Sequence, residues 1–192
     1  SSCLNADAGY YVGTTAATSQ TACSTGTYQP STGQTSCIDA SAGYYVDTTA
    51  ATSQTACAAG TYQPSTGQTS CTDASAGYYV DSTAATSQTA CAAGTYNSNT
   101  GSTSSSACLD ADAGYYVPST GSASQTACAA GTYNSNTGST SSSACLDADA
   151  GYYVPSTGSA SQTACAAGTY QPSTGQTSCI DASAGYYVDT TA

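Results

Sequence analysis

The stretch CIDASAGYYVDTTAATSQTACAAGTYQPSTGQTSC, residues 37–71, decides the fold. Its first part reads as a hairpin. Gly43-Tyr44-Tyr45-Val46 favours a strand, Asp47-Thr48-Thr49-Ala50-Ala51 a turn, and Thr52-Ser53-Gln54-Thr55-Ala56-Cys57 a polar return strand. The scheme then begins again with Gly60-Thr61-Tyr62, turns through Gln63-Pro64-Ser65-Thr66-Gly67, and returns through Gln68-Thr69-Ser70-Cys71. Ala50-Ala51 and Ala58-Ala59 are good helix formers, yet no apolar period of 3.6 extends beyond them. The stretch therefore predicts two short β-hairpins in tandem.

Outward from this stretch the same text recurs along all 192 residues. Repeats begin at Cys3, Cys37, Cys71, Cys108 and Cys145, with a partial copy from Cys179, so the boundaries are 3–36, 37–70, 71–107, 108–144, 145–178 and 179–192, and residues 1–2 end a preceding copy. A chain that starts and stops in mid-repeat reads as a window cut from a longer array. The first and second cysteines of a repeat are always 20 positions apart. The next interval is 14, or 17 where Asn97–Ala107 and Asn134–Ala144 replace the Gln-Pro-Ser-Thr-Gly-Gln-Thr-Ser run. Extra residues there should bulge from a turn and leave the rest in place.

Composition sets the source of stability. There are eleven cysteines and no Met, Trp, Phe, His, Lys or Arg. Branched aliphatics are confined to Val and to single residues after a cysteine, Leu4, Ile38, Leu109, Leu146 and Ile180. So poor a supply cannot build a conventional core, and covalent staples in an oxidising compartment must take its place. The expected fold is small, disulfide-rich and mainly β, with tandem hairpins stacked into an elongated solenoid-like rod or fibre. Neighbouring cysteines should pair, in one of two registers. The first joins Cys23–Cys37, Cys57–Cys71, Cys91–Cys108, Cys128–Cys145 and Cys165–Cys179, leaving Cys3 to an upstream partner. The second joins Cys3–Cys23, Cys37–Cys57, Cys71–Cys91, Cys108–Cys128 and Cys145–Cys165, leaving Cys179 to a downstream one. The constant interval of 20 favours the second, and the compact Cys-x-x-Gly-x-Tyr start of the other half favours the first.

Charge and inventory exclude several functions. All eleven ionised side chains are Asp and the net charge is −11, so nucleic acid is repelled and anionic lipid finds no cation to hold. Apolar runs of a few residues are far too short to insert into a membrane, and neither a signal peptide nor a lipid anchor is visible. With no His, Lys or Glu, and with the cysteines used as staples, no nucleophile and base can be assembled in the usual ways, so no catalytic residue and no cofactor is assigned. Asp110 with Asp112, Asp147 with Asp149, and Asn5 with Asp7 offer oxygens for Ca²⁺. Their spacing is far from a dedicated calcium loop, and solvated turn carboxylates are the simpler reading.

Three residue classes remain. The pairs Tyr10-Tyr11, Tyr44-Tyr45, Tyr78-Tyr79, Tyr115-Tyr116, Tyr152-Tyr153 and Tyr186-Tyr187 point to opposite faces if extended, so one ring can pack on a staple or neighbouring repeat while the other meets solvent or another chain. Tyr28, Tyr62, Tyr96, Tyr133 and Tyr170 can do the same in the second half. The glycines before these tyrosines suit positive φ or close backbone approach. Serine and threonine total 66 with no Asn-x-Ser/Thr sequon, so O-linked sugar on Thr14, Thr15, Thr48, Thr49, Ser82, Thr83, Ser119, Thr120 and the Ser104–Ser106 run is the candidate modification, beside an unmodified hydroxyl surface.

Cys57-Ala58-Ala59-Gly60-Thr61-Tyr62 through Gly67 and Cys71 resembles the extracellular cysteine-rich repeats called GCC2 and GCC3, which are similar to modules of tumour necrosis factor receptors and ephrin receptors. Those families read Cys-x-x-Cys-Pro-x-Gly-x-Tyr. Here Ala40 stands where a second cysteine is expected after Cys37, as do Ala74, Ala111, Ala148 and Ala182, so half the usual staples are absent. The resemblance implies small disulfide-linked β modules outside a cell. The expected function is structural, a stalk, sheath or fibril whose partners are copies of itself or further repeats of the same array. An adhesin or receptor ectodomain binding carbohydrate or protein through Tyr and turn residues is the alternative.

Overall fold

A computed structural model of the chain describes residues 3–188; the expected end of a preceding repeat at 1–2 and the close of the partial repeat at 189–192 lie outside them. Every strand is two residues long, as expected where Gly and turn residues break each β-favouring run. The chain divides into two compact units, Ser1–Thr89 with Asn99–Ala107 and Ala90–Ser98 with Cys108–Ala192.

In the first unit, Tyr44–Tyr45 pairs antiparallel with Thr55–Ala56, in the register Tyr45↔Thr55. Thr61–Tyr62 pairs with Thr72–Asp73, in the register Tyr62↔Thr72. The second pairing corrects the sequence reading. The return strand lies just beyond Cys71 and not in Gln68–Cys71, so the cysteine sits at the strand's entrance and each hairpin continues across the boundary drawn at Cys71. Tyr10–Tyr11 with Thr21–Ala22 and Thr27–Tyr28 with Ile38–Asp39 repeat the two arrangements.

The second unit has the same plan. Tyr115–Tyr116 pairs with Thr126–Ala127, and Tyr152–Tyr153 with Thr163–Ala164. Alternating with them, Thr95–Tyr96 pairs with Leu109–Asp110, Thr132–Tyr133 with Leu146–Asp147, and Thr169–Tyr170 with Ile180–Asp181. The longer intervals keep this pairing. Their extra residues form 3₁₀ turns, Ser142–Ala144 in this unit and Ser105–Ala107 in the first.

Successive hairpins are joined by backbone hydrogen bonds. Gly43 N–H donates to Gln63 O at 2.8 Å and Val46 N–H to Gln68 O at 3.0 Å; Gly60 N–H then donates to Val80 O at 2.8 Å and Gln63 N–H to Ala85 O at 3.0 Å. The second unit repeats the pattern from Gly114 to Asn134, Val117 to Ser139, Gly131 to Val154 and Asn134 to Ser159. This closeness explains the glycines. Gly43 has φ +84, and a Cβ there would collide with the backbone of Ala84; Gly60, at φ +88, faces Gly101 in the same way. Gly is thus required both by its conformation and by the approach of a second backbone.

The core of each unit is made of small side chains. Cys23, Ala40, Cys57 and Ala74 are buried in the first unit, and Cys91, Ala111, Cys128, Ala148 and Cys165 in the second. Val and amide residues alternate at a second set of buried positions: Val46, Gln63 and Val80 in the first unit, and Asn97, Val117, Asn134, Val154 and Gln171 in the second. The larger aliphatics take no part, since Ile38, Leu109, Leu146 and Ile180 are about half exposed, at 46–54%, and Leu4 is 89% exposed.

Candidate functional site

The feature with chemical content is the closure at the base of each hairpin. In the second half of every repeat it is a disulfide: Cys23–Cys37, Cys57–Cys71, Cys91–Cys108, Cys128–Cys145 and Cys165–Cys179, with Cα atoms 5.5–5.8 Å apart. This is the first of the two registers. The segments of 20 are not bridged, and Cys3, counted among the staples, is exposed with no cysteine partner among the described residues.

In the first half an amide takes the place of the disulfide. Cys57 lies five residues before Tyr62 and Cys71 one residue before its partner Thr72; Ala40 lies five before Tyr45 and Gln54 one before its partner Thr55. Ala40 and Gln54 therefore occupy the two cysteine positions of an equivalent hairpin. Ala40 is fully buried, and the next residue, Ser41, donates its N–H to Gln54 Oε1 at 2.7 Å. The same clip joins Asp7 to Gln20, Ser75 to Gln88, Asp112 to Gln125 and Asp149 to Gln162, each at 2.7 Å. Where the residue is Asp the clip is reciprocal. Gln20, Gln125 and Gln162 donate Nε2 to Asp7, Asp112 and Asp149 at 2.8, 2.6 and 2.8 Å.

These contacts define what the carboxylates do. One oxygen of Asp7, Asp112 and Asp149 already accepts an amide, and among the described residues no group of three or more His, Cys, Asp or Glu side chains is gathered in a way that could hold a metal ion. Asp39, Asp110 and Asp147 instead lie against the turn glycines Gly67, Gly138 and Gly175. A groove in the first unit is lined by Tyr11, Thr21, Ala22, Ser24, Thr27, Ser36 and Cys37, which supply hydroxyls but no acid and base pair.

The buried amides were not legible as core residues. Gln63 donates Nε2 to Ser70 O at 2.9 Å and accepts Ser65 N–H at 3.1 Å. Asn134 donates to Tyr115 O and Ser139 Oγ and accepts Asn136 N–H. Asn97 and Asn134 begin the longer turns, but at 1% and 0% exposure they face inward. A superposition of the two halves of one repeat would have revealed them, since Gln63 and Asn134 fall at the position of Val46 and Val117.

The tyrosines divide by position. Both rings of Tyr10-Tyr11, Tyr44-Tyr45, Tyr78-Tyr79, Tyr115-Tyr116 and Tyr152-Tyr153 are half-buried, while Tyr186 and Tyr187 are 80% and 84% exposed. Thr14, Thr15, Thr48, Thr49, Ser82, Thr83, Ser119 and Thr120 are all exposed on turns. No helix among the described residues is long and apolar enough to cross a membrane.

No curated protein matches the chain. Residues 9–57 and 43–91 match the family model described as tyrosine-protein kinase ephrin type A/B receptor-like, two overlapping copies that each run from a glycine before paired tyrosines to the cysteine opening a later staple. That family is a receptor-like cysteine-rich repeat and not a catalytic one. The chain is thus an array of disulfide-bonded repeats similar to the ephrin receptor-like cysteine-rich module.

Proposed function

We propose that the chain is a structural extracellular repeat protein, the shaft of a stalk, sheath or fibril, with its exposed Ser and Thr turns carrying O-linked sugar. Its staples and its similarity to a receptor-like module support a location outside the cell or at its surface. The observation that carries the reading is the uniform joint. The same pair of backbone hydrogen bonds passes from Gly60 and Gln63 to Val80 and Ala85, and from Gly131 and Asn134 to Val154 and Ser159. A recognition array gains by varying its exposed turns, whereas a shaft gains by copying the joint. The partners are further repeats of the same kind, in the same chain or in other copies.

Electron microscopy of the secreted chain, combined with intact mass, tests this. Narrow particles of constant width, heavier than the polypeptide by hexose-type increments on Thr and Ser, are expected. Compact particles would overturn the shaft, and saturable binding of one glycan or protein by a single repeat would favour an adhesin.

A further inference from the structure

We propose that the array is an extensible tether with a built-in stop: tension opens the amide-clipped segments and leaves the stapled loops shielded. The proposal deepens the structural reading and rests on it. A pull along the chain travels through covalent bonds, and at each staple it crosses the disulfide instead of following the loop. Residues 58–70 are bypassed through Cys57–Cys71, and 129–144 through Cys128–Cys145. No disulfide shields the segments between staples. Cys37 to Cys57, Cys108 to Cys128 and Cys145 to Cys165 must each bear the full load.

What holds those segments closed is breakable. The segment from Cys37 to Cys57 is held by one two-residue strand pair, the Ser41 to Gln54 clip, the hydrogen bond from Cys57 N–H to Gly43 O, the burial of Ala40 and Val46, and backbone hydrogen bonds to the hairpins on either side, among them Ala40 N–H to Gly26 O and Val46 N–H to Gln68 O. All are non-covalent and all re-form when the load is removed. The stapled loop beside them keeps its ends 5.8 Å apart throughout and is a ready surface on which the opened hairpin can close again. Extension therefore ends once the segments of 20 residues are straight.

Each opened segment has 20 residues, because Cys57 follows Cys37 by 20 positions, and at about 3.6 Å per residue its straightened length is about 70 Å. A whole repeat without its staple has 34 or 37 residues, or about 120 to 130 Å on the same scale.

Single-molecule force spectroscopy on the full chain, pulled by protein handles fused to both ends, reads this directly. Oxidised chains are expected to lengthen in repeated steps of about 20 residues and to recover on relaxation. Reductant should raise the steps to about 34 or 37 residues. In Cys128→Ser with Cys145→Ser, one step should merge to the 57 residues between Cys108 and Cys165, while steps elsewhere along the same molecule stay at 20 and verify its folding. Oxidised steps of 34 or 37, oxidised steps of 14 or 17, or lengths unmoved by reductant would each overturn the proposal. A chain that gives steps of 20 yet binds a glycan through one repeat would refute the structural reading alone.

Discussion

The hairpin that starts at Ala40 and the hairpin that starts at Cys57 have one backbone plan and two closures. Each carries a two-residue strand pair, a glycine of positive φ near its start, and the same hydrogen bonds to its successor. One is closed by a sulfur–sulfur bond; the other by Gln54 reaching the N–H of Ser41, with the methyl of Ala40 in the place of a sulfur. A staple is thus not needed at every hairpin. A small buried side chain and one amide suffice when the neighbours on both sides are already held.

The largest test of this difference removes a staple. Cys57→Ser with Cys71→Ser should lower stability by about 2 to 4 kcal/mol, since a closed loop is freed in the unfolded chain. Urea unfolding against the parent measures it. A loss no greater than that from removing an amide clip would show that the two closures are equivalent and that the comparison fails.

The complementary experiment converts one kind into the other. Ala40→Cys with Gln54→Cys places two cysteines at the positions that Cys57 and Cys71 hold, with the same separation of 14. Mass spectrometry should show a new disulfide between them, and stability should rise by up to about 3 kcal/mol, the value for a loop near 15 residues. Two free thiols in the folded protein would mean that the positions are not equivalent.

A finer contrast lies among the clips. Gln54→Ala removes one hydrogen bond, to Ser41, and should cost about 0.5 to 1.5 kcal/mol. Gln125→Ala removes two, one of them to the Asp112 carboxylate, and should cost more. Equal losses in thermal unfolding would show that the carboxylate bond contributes nothing beyond solvent.

Much of this was legible in the residues, and the failures are specific. Tyr44-Tyr45 and Thr61-Tyr62 announce their strands, the glycines before them announce positive φ, and Ala40 is visible as a missing cysteine. The disulfide register was not, because intervals of 14, 17 and 20 all suit a local loop. The return strand at Thr72–Asp73 was hidden since Gln68–Ser70 on the other side of Cys71 is as polar and as short. The burial of Gln63 and of Asn134 was hidden for a related reason: an amide before Pro or Ser reads as turn chemistry, and only the bonds to Ser70, Ser65, Tyr115 and Ser139 make it a core residue. The signal that could have found it is the interval of 17 from Gly43 to Gly60, half of the 34-residue repeat, which aligns Ala40 with Cys57 and Gln54 with Cys71.

The smallest expected effect concerns the turn that the two hairpins share. Seven residues after its opening glycine, the stapled hairpin has Gly67 at φ +70, while the clipped hairpin has Ala50 at φ +55. Ala16 and Ala84 repeat this left-handed alanine, whereas the later clipped hairpins have Gly121 and Gly158. An alanine there costs about 1 to 2 kcal/mol, against about 0.5 to 1 kcal/mol for the extra freedom a glycine loses on folding. Ala50→Gly should therefore stabilise by up to about 1 kcal/mol. Its backbone contacts survive the change, because Ala50 meets Cys23 through its N–H and Gly9 through its carbonyl. Gly158→Ala should be worse than a simple reversal, since the added Cβ would lie 2.7 Å from the hydroxyl of Tyr115. Urea midpoints of the two variants should move in opposite directions, and Gly158→Ala should move further; a loss of stability in Ala50→Gly would mean that its methyl packs usefully and that this turn is not the strained half of the pair.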